Sequence, residues 1–445
     1  MAKNKLTSMV EGNIFKQILL FSLPIFFGNL FQLLYNTVDS IIVGQYVGAN
    51  ALAAVGASTP LINLLIGFFM GIASGAGVVV SRYFGAKKHE ELELAVHTFM
   101  KFTIYCGIGL SIVGILISPL LLSLLDTPVD VFSDAQTYLQ IYFMGCLFMM
   151  IYNSGSGVLR AVGDSKRPLY FLLASSVINV VLDLYFVIIL KMGVAGVAWA
   201  TFIAQLSSCL LVCIVLLKEK DVYRVCLSKL KIDKLMLKQI VRIGIPAGIQ
   251  QAIVSFSNVL VQSHVNRFGY EAIAGFSSGN KFDNFLGLPV NSLALAITTF
   301  VGQNMGADKP ERAERGVKIS LMMMFVSVSI IGGFAYVNAE SCISLFSDET
   351  LVIYYGAKMM RTVIPVYVIL GVNQILSGAL RGAGATSIPM YVNVFSFCIV
   401  RQLFLEICMP IYQDVQIVFY SYSITWVLSA VLIYAYYKKG KWRRV

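Results

Sequence analysis

The chain has 445 residues, of which 58% are hydrophobic and only 13% charged, with a mean hydropathy of +0.78. Soluble domains carry roughly 25% charged residues, so this composition cannot coat a water-facing surface and excludes a soluble enzyme. The 34 Lys and Arg against 23 Asp and Glu leave a net +11, an excess that has to be located along the chain before it is given a partner.

A spanning helix needs about 20 mostly apolar residues, and twelve such stretches follow one another. The first, 14–43, carries Pro24, Gln32, Tyr35 and Asp39. It is too long for a secretory signal and no small-residue cleavage pattern follows it, so it is expected to be retained as a helix. Stretches 51–80, 94–116 and 131–154 come next, the last ending beside Asn153 and Ser156; 169–190 holds Asn179 and Asp183, and 194–217 holds Val197 and Thr201. After the longest polar connection, Lys218 to Lys234, stretch 237–265 carries Pro246, Asn258 and Gln262, and 280–300 carries Lys281 and Asp283. The series closes with 319–337, 351–378 with Asn373, 388–409 with Arg401 and Glu406, and 415–437. Barrel strands would instead show alternating segments of about ten residues. The expected fold class is therefore an all-α polytopic membrane protein with twelve transmembrane helices.

The charge now has a place. With the N-terminus in the cytoplasm, alternate loops hold 27 of the 34 basic residues, from Lys3, Lys5 and Lys16 to Lys438, Lys439, Lys441, Arg443 and Arg444. The opposite loops hold Lys191, Arg267 and acids such as Asp126, Asp130, Asp134, Asp348 and Asp414. The positive-inside rule places both termini in the cytoplasm and turns the +11 into a topological signature that also meets anionic lipid; no nucleic-acid partner is implied. The eight cysteines lie mostly within apolar stretches without ligand spacing and read as apolar filler. His89, His97 and His264 are scattered, so neither a zinc site nor a cofactor is expected.

The polar connection divides the stretches six and six. SRYFGAKKHE, from Ser81, aligns with GQNMGADKPE, from Gly302, and LRAVGDSKRP, from Leu159, aligns with LRGAGATSIP, from Leu380, both at an offset of 221 residues; Pro24 and Pro246 differ by 222. Two blocks sharing one offset indicate a parallel repeat with a central site, as in many transporters. The lobes are expected at 1–220 and 237–445, joined by a cytoplasmic loop at 221–236. Gly163 and Gly384 stand where tight turns are needed, with Arg160 and Arg381 capping helix ends or meeting lipid phosphate.

VDSIIVGQYVGANALAAVG, Val38 to Gly56, followed by FGAKK and GVLRAVGDSKRP, resembles the multidrug and toxic compound extrusion family over the full chain. The resemblance implies two six-helix lobes forming a V with a central cleft, and export of organic cations driven by entry of Na+ or H+.

An ionisable group at membrane depth costs at least about 2.5 kcal/mol on insertion scales, so Asp39, Asp183, Asp283 and Glu406 each need a reason. At ~1.5 Å per residue, Asp39 lies about 37 Å along its helix from Ile14 and Asp183 about 22 Å past Pro168, both in the outer half. Thr201, on a descending helix, reaches a similar level, and Asn179 is one turn from Asp183 on the same face. Oxygens from Asp39, Asn179, Asp183 and Thr201, with the Val197 carbonyl, suit a hard cation such as Na+. Two neighbouring carboxyls also suit a proton, so the coupling ion stays open between the two. The resemblance points to the same four side chains as the family's cation site in the first lobe. The structural alternative is a hydrogen-bonded pair pinning the first and fifth helices.

In the second half, Asp39 corresponds to Leu260 or Val261, Asn179 to Val400, Asp183 to Phe404 and Thr201 to Tyr422, so the site is expected in one lobe only. Asp283 with Lys281, and Glu406 with Arg401, either neutralise one another across helices or line the cleft. Candidate cleft residues are Gln32, Tyr35, Asn153, Ser156, Asn258, Gln262, Asp283 and Asn373, and Pro24 is a candidate hinge. The reading is a monomeric secondary antiporter for amphipathic organic cations in the cell membrane of a prokaryote. The runner-up, a lipid-linked oligosaccharide flippase, would need a cationic central cavity, and the intramembrane bases are few.

Overall fold

The computed structural model describes residues 8–124 and 127–444. Lys3, Lys5 and Asp126, counted among the loop charges, lie outside them, as does the Arg444 side chain. Among the described residues twelve helices are long and apolar enough to cross a membrane, and no strand occurs. In hydrocarbon every backbone N–H and C=O must be satisfied within the segment, which a helix alone achieves without closing a barrel.

The first unit contains Leu23–Gly244. Its helices are α1 (Ile14–Val47), α2 (Ala49–Gly85), α3 (His89–Leu124), α4 (Val129–Ala161), α5 (Lys166–Ile189) and α6 (Gly193–Lys218). Helix α4 is the centre of its packing, against α2, α3 and α6, and α5 lies on α6. One core cluster, with Val80, Val96, Phe99 and Leu159, takes in Tyr223 and Val225 of the polar connection. A second gathers Ile42, Val43, Leu139, Val187 and Val197 around the far ends of α1, α4, α5 and α6. The connection is tied to α3 by the Cys226 N–H donating to His97 Nε2 at 2.9 Å and by Lys101 Nζ donating to the Leu230 carbonyl at 3.0 Å.

The second unit contains Met9–Ser22 and Ile245–Val445. Its helices are α7 (Lys234–Phe268) from Ile245 onward, α8 (Tyr270–Gly306), α9 (Pro310–Val337), α10 (Thr350–Gly382), α11 (Ser387–Tyr412) and α12 (Gln416–Lys438); a short helix, Ala339–Ser344, precedes α10. Helix α10 packs on α8, α9 and α12. Gly378 and Gly382, four residues apart, let its backbone approach α8, where the Thr298 hydroxyl donates to the Gly378 carbonyl at 3.0 Å. Small residues at this spacing are how helices approach closely when lipid offers no hydrophobic drive. The segment before α1 is held by the same unit: the Met9 N–H donates to Gln303 Oε1 at 3.0 Å and Arg312 donates to the Gly12 carbonyl at 2.9 Å.

The repeat is visible in the turns. Gly163 and Gly384 have φ of 94° and 83°. After α4 the Gly163 and Asp164 N–H groups close on Arg160 and Leu159; after α10 those of Gly384 and Ala385 close on Arg381 and Leu380. Both are Schellman caps, for which glycine is the residue without steric cost. The helices themselves run further than hydropathy indicated: α8 is 37 residues long where 280–300 was expected, because polar helical turns beyond the apolar stretch leave no hydropathy signal.

Candidate functional site

The acids of the first unit sit beside local widenings of their helices. Helix α1 ends in a π-turn, Val43–Val47, four residues after Asp39, and α5 ends in another, Tyr185–Ile189, two residues after Asp183. The two wide turns pack on one another. Such turns insert a residue into the ladder, re-aim side chains and occur often at functional sites.

Here the Asp39 carboxyl meets that of Asp183 within hydrogen-bonding reach. Asp183 is fully buried and Asn179 is 2% exposed. Oδ1 of Asp39, both carboxyl oxygens of Asp183 and both amide atoms of Asn179 have no hydrogen-bond partner among the described residues. Buried polar groups in folded proteins are nearly always paired, and two carboxyl groups in contact supply acceptors without a donor. These buried acceptors call for a donor or a cation: a proton shared by the pair, a water molecule or a small hard cation would each satisfy them. Thr201 is half-buried on α6, one turn beyond the buried Val197, whose side chain packs with Ile42, Val43 and Val187 at the junction of α1, α5 and α6.

Sequence reasoning missed Tyr138. It lies on α4, buried, close enough to both carboxyls and to Tyr35 to interact with all three electrostatically. Tyr138, Tyr142, Met149 and Asn153 form a stripe at helical spacing on α4, the signal that could have found it, although aromatics at that spacing read equally as packing. Gln32 lies beside the Tyr35 hydroxyl. Ser156 is buried beside Tyr152, and the Asn153 amide donates to the Met149 carbonyl at 3.0 Å. Pro24 stands inside α1, just past Leu23, where the chain enters the first unit.

In the second unit the candidate residues do not form one constellation. Asn373 is buried in a network, donating to Asn393 Oδ1 at 3.1 Å and to Ser429, while Ser377 donates to its carbonyl oxygen at 3.0 Å. The Gln262 amide donates to Asn266 Oδ1 at 2.9 Å. The Tyr367 hydroxyl donates to the Asp283 backbone carbonyl at 3.1 Å.

Glu406 faces His264 at 3.7 Å, and Lys281 sits 4.6 Å from the centre of the Phe346 ring. Arg401 donates to Ser257 Oγ at 3.2 Å, Asn258 Oδ1 at 3.5 Å and Thr425 Oγ1 at 3.2 Å. A cavity of about 680 Å3 also opens between α10 and α12, where Lys358 pairs with Asp414 and Arg361 with Glu340.

Comparison with known proteins bears on this geometry. The MatE family model matches residues 24–185 and 246–405, one match in each repeat. The chain is 29% identical over 437 residues to the probable multidrug resistance protein YoeA of Bacillus subtilis, covering 96% of this chain and 94% of that protein. It is 23% identical over 378 residues to the multidrug export protein MepA of Staphylococcus aureus, covering 84% and 83%. A solved outward-facing structure of a multidrug resistance MATE family transporter superposes with a TM-score of 0.93 at 22% identity, covering 99% of this chain and 98% of that one.

Proposed function

Because this chain belongs to the MatE family, we propose that it is a secondary active antiporter that exports amphipathic organic cations, with Na+ or H+ entering in exchange. Transport across the membrane fits the twelve spanning helices, and the names of the relatives, multidrug resistance and multidrug export proteins, support drug export. The observation that carries the coupling role is the contact between Asp39 and Asp183 with no donor among the described residues.

In this reading the entering ion binds at Asp39, Asp183 and Asn179, with Thr201 and the Val197 carbonyl completing the oxygen set and Tyr138 closing the site from α4. Occupied, the two carboxyls are drawn together; vacated as anions, they repel. That difference acts on α1, which carries both Asp39 and Pro24, and Pro24, where the helix lacks a backbone hydrogen bond, is the hinge that converts the state of the acids into movement of α1. A ligand shifts such an equilibrium only by its difference in affinity for the two states, and two facing carboxyls provide a large one. Within the first unit Tyr35, Gln32, Asn153 and Ser156 supply polar contacts to the organic cation.

The chain works as a monomer in the cytoplasmic membrane of a prokaryote, both termini inside, in line with the placement of its basic loops. The flippase reading gains no support from Arg401 or Lys281, since the first is 2% exposed within the second unit and the second lies on an aromatic ring. The test is uptake of a fluorescent organic cation by proteoliposomes under separately imposed Na+ and H+ gradients. One gradient is expected to drive it; indifference to both would exclude antiport.

A further inference from the structure

Arg401 is an anomaly in the middle of α11: 2% exposed, with no carboxylate within 4 Å among the described residues. A buried charge without a counter-charge is costly and marks function. Its position in the repeat explains it. Helix α11 contains a π-turn, Phe395–Val400, before Arg401, whereas α5 has its own only after Asp183. The inserted residue advances the register of α11 from an offset of 221 to 222. Asn179 therefore corresponds to Arg401, not to Val400, and Asp183 to Leu405, not to Phe404.

The burial phase agrees with this register. Asn179 and Arg401 are each 2% exposed and Asp183 and Leu405 each 0%, while Val400 and Phe404 are only half-buried. The partners agree as well. Ser257 and Asn258 lie on α7, the counterpart of α1, and Thr425 and Tyr422 lie on α12, the counterpart of α6. Tyr422, at the position of Thr201, places its ring 4.5 Å from the guanidinium carbon, and Phe397 places its ring at 5.2 Å. Neutral oxygens and aromatic faces are what a desolvated cation seeks.

We propose that the Arg401 guanidinium is a tethered cation, holding in the second unit the place that an exchangeable cation takes in the first. The second repeat then stays in its cation-filled packing throughout the cycle, and the first unit alone sets the number of coupling ions. This rests on the coupling reading of Asp39 and Asp183.

The vacated place should accept a free guanidinium ion. Full-length R401A is purified and its melting temperature is titrated with millimolar guanidinium chloride, with urea as the neutral isostere and choline chloride as the salt control. The melting temperature of R401A should rise saturably with guanidinium and with neither control, and that of the wild type should not respond. In proteoliposomes R401A should lose at least tenfold in gradient-driven transport and recover with guanidinium but not with urea. Equal responses to guanidinium and urea, no response to guanidinium, or wild-type transport without it would overturn the proposal.

Should R401A not fold, R401K and R401Q take its place. R401K is expected to retain transport and R401Q to lose it at equal protein yield; equal transport by the two would overturn the proposal. The thermal titration does not pass through Asp39 or Asp183. Failure of the coupling reading appears instead as wild-type transport indifferent to both gradients, whatever R401A does.

Discussion

Asp183→Asn separates a coupling site from a structural pin, because the two readings predict changes of opposite sign. The substitution preserves shape and burial but replaces an acceptor oxygen by an amide N–H beside Asp39, at a position that is 0% exposed and receives no donor in the native chain. A hydrogen bond to a charged acceptor contributes about 1.5–3 kcal/mol. If the native pair holds no proton at pH 8, thermal unfolding in Na+-free detergent should therefore show the variant stabilised by about that amount. If the coupling ion is sodium, a concentration of one hundred times Kd stabilises the wild type by about 2.7 kcal/mol, and the variant should lose this response along with gradient-driven efflux. Greater stability with lost transport is the expected combination. A variant that is less stable than the wild type and still transports at full rate would refute the reasoning and leave the pair as a helix pin.

Three other outcomes follow from the packing. Gly75→Ala should lower thermal stability by about 1–3 kcal/mol, since its new β-carbon would meet the backbone of Gly244 within the first unit, whereas Gly77→Ala, with only a carbonyl oxygen at 3.9 Å, should be neutral in the same melt. Tyr138→Phe, losing the hydroxyl beside both carboxyls, should change the affinity for the coupling ion in a binding titration while leaving the stability of the ion-free protein within about 1 kcal/mol of wild type. Burial works to raise the Glu219 carboxyl, but the Arg167 guanidinium at 2.6 Å, the Lys220 N–H and the Tyr223 hydroxyl outweigh it and hold it below the ordinary Glu range. A carboxyl held low in the folded state stabilises above its unfolded value and loses that contribution as pH falls through the folded one. Proteolysis of the 219–234 connection should accordingly increase only below about pH 4.5 in the wild type, and already at neutral pH in Glu219→Gln.

The twelve helices and the duplication were legible because both are written in hydropathy and in repeated turn blocks, the signals that lipid and Schellman caps impose. Depth arithmetic along α1 and α5 went as far as putting Asp39 and Asp183 in the same outer half of the membrane. The three π-turns were not legible, since an inserted residue leaves no compositional mark, and with a constant offset Asn179 falls on Val400 instead of Arg401. Partner choice was equally hidden: Glu406 finds His264 and Lys281 finds Phe346 through the rotation of each helix about its axis, which the even hydrophobicity of these spans does not encode. Tyr138 escaped notice because an aromatic on a buried helix face has a sufficient explanation in packing.

The central claim is that ion movement and drug movement are one event through the Asp39–Asp183 pair. It is tested most directly by imposing only a drug gradient across proteoliposomes and recording the counter-movement of radioactive sodium and of protons. The wild type should move one of these ions against the drug flux, and Asp39→Asn and Asp183→Asn should move neither. Equal ion movement in the wild type and both variants, or drug flux with no ion movement in the wild type, would contradict the account.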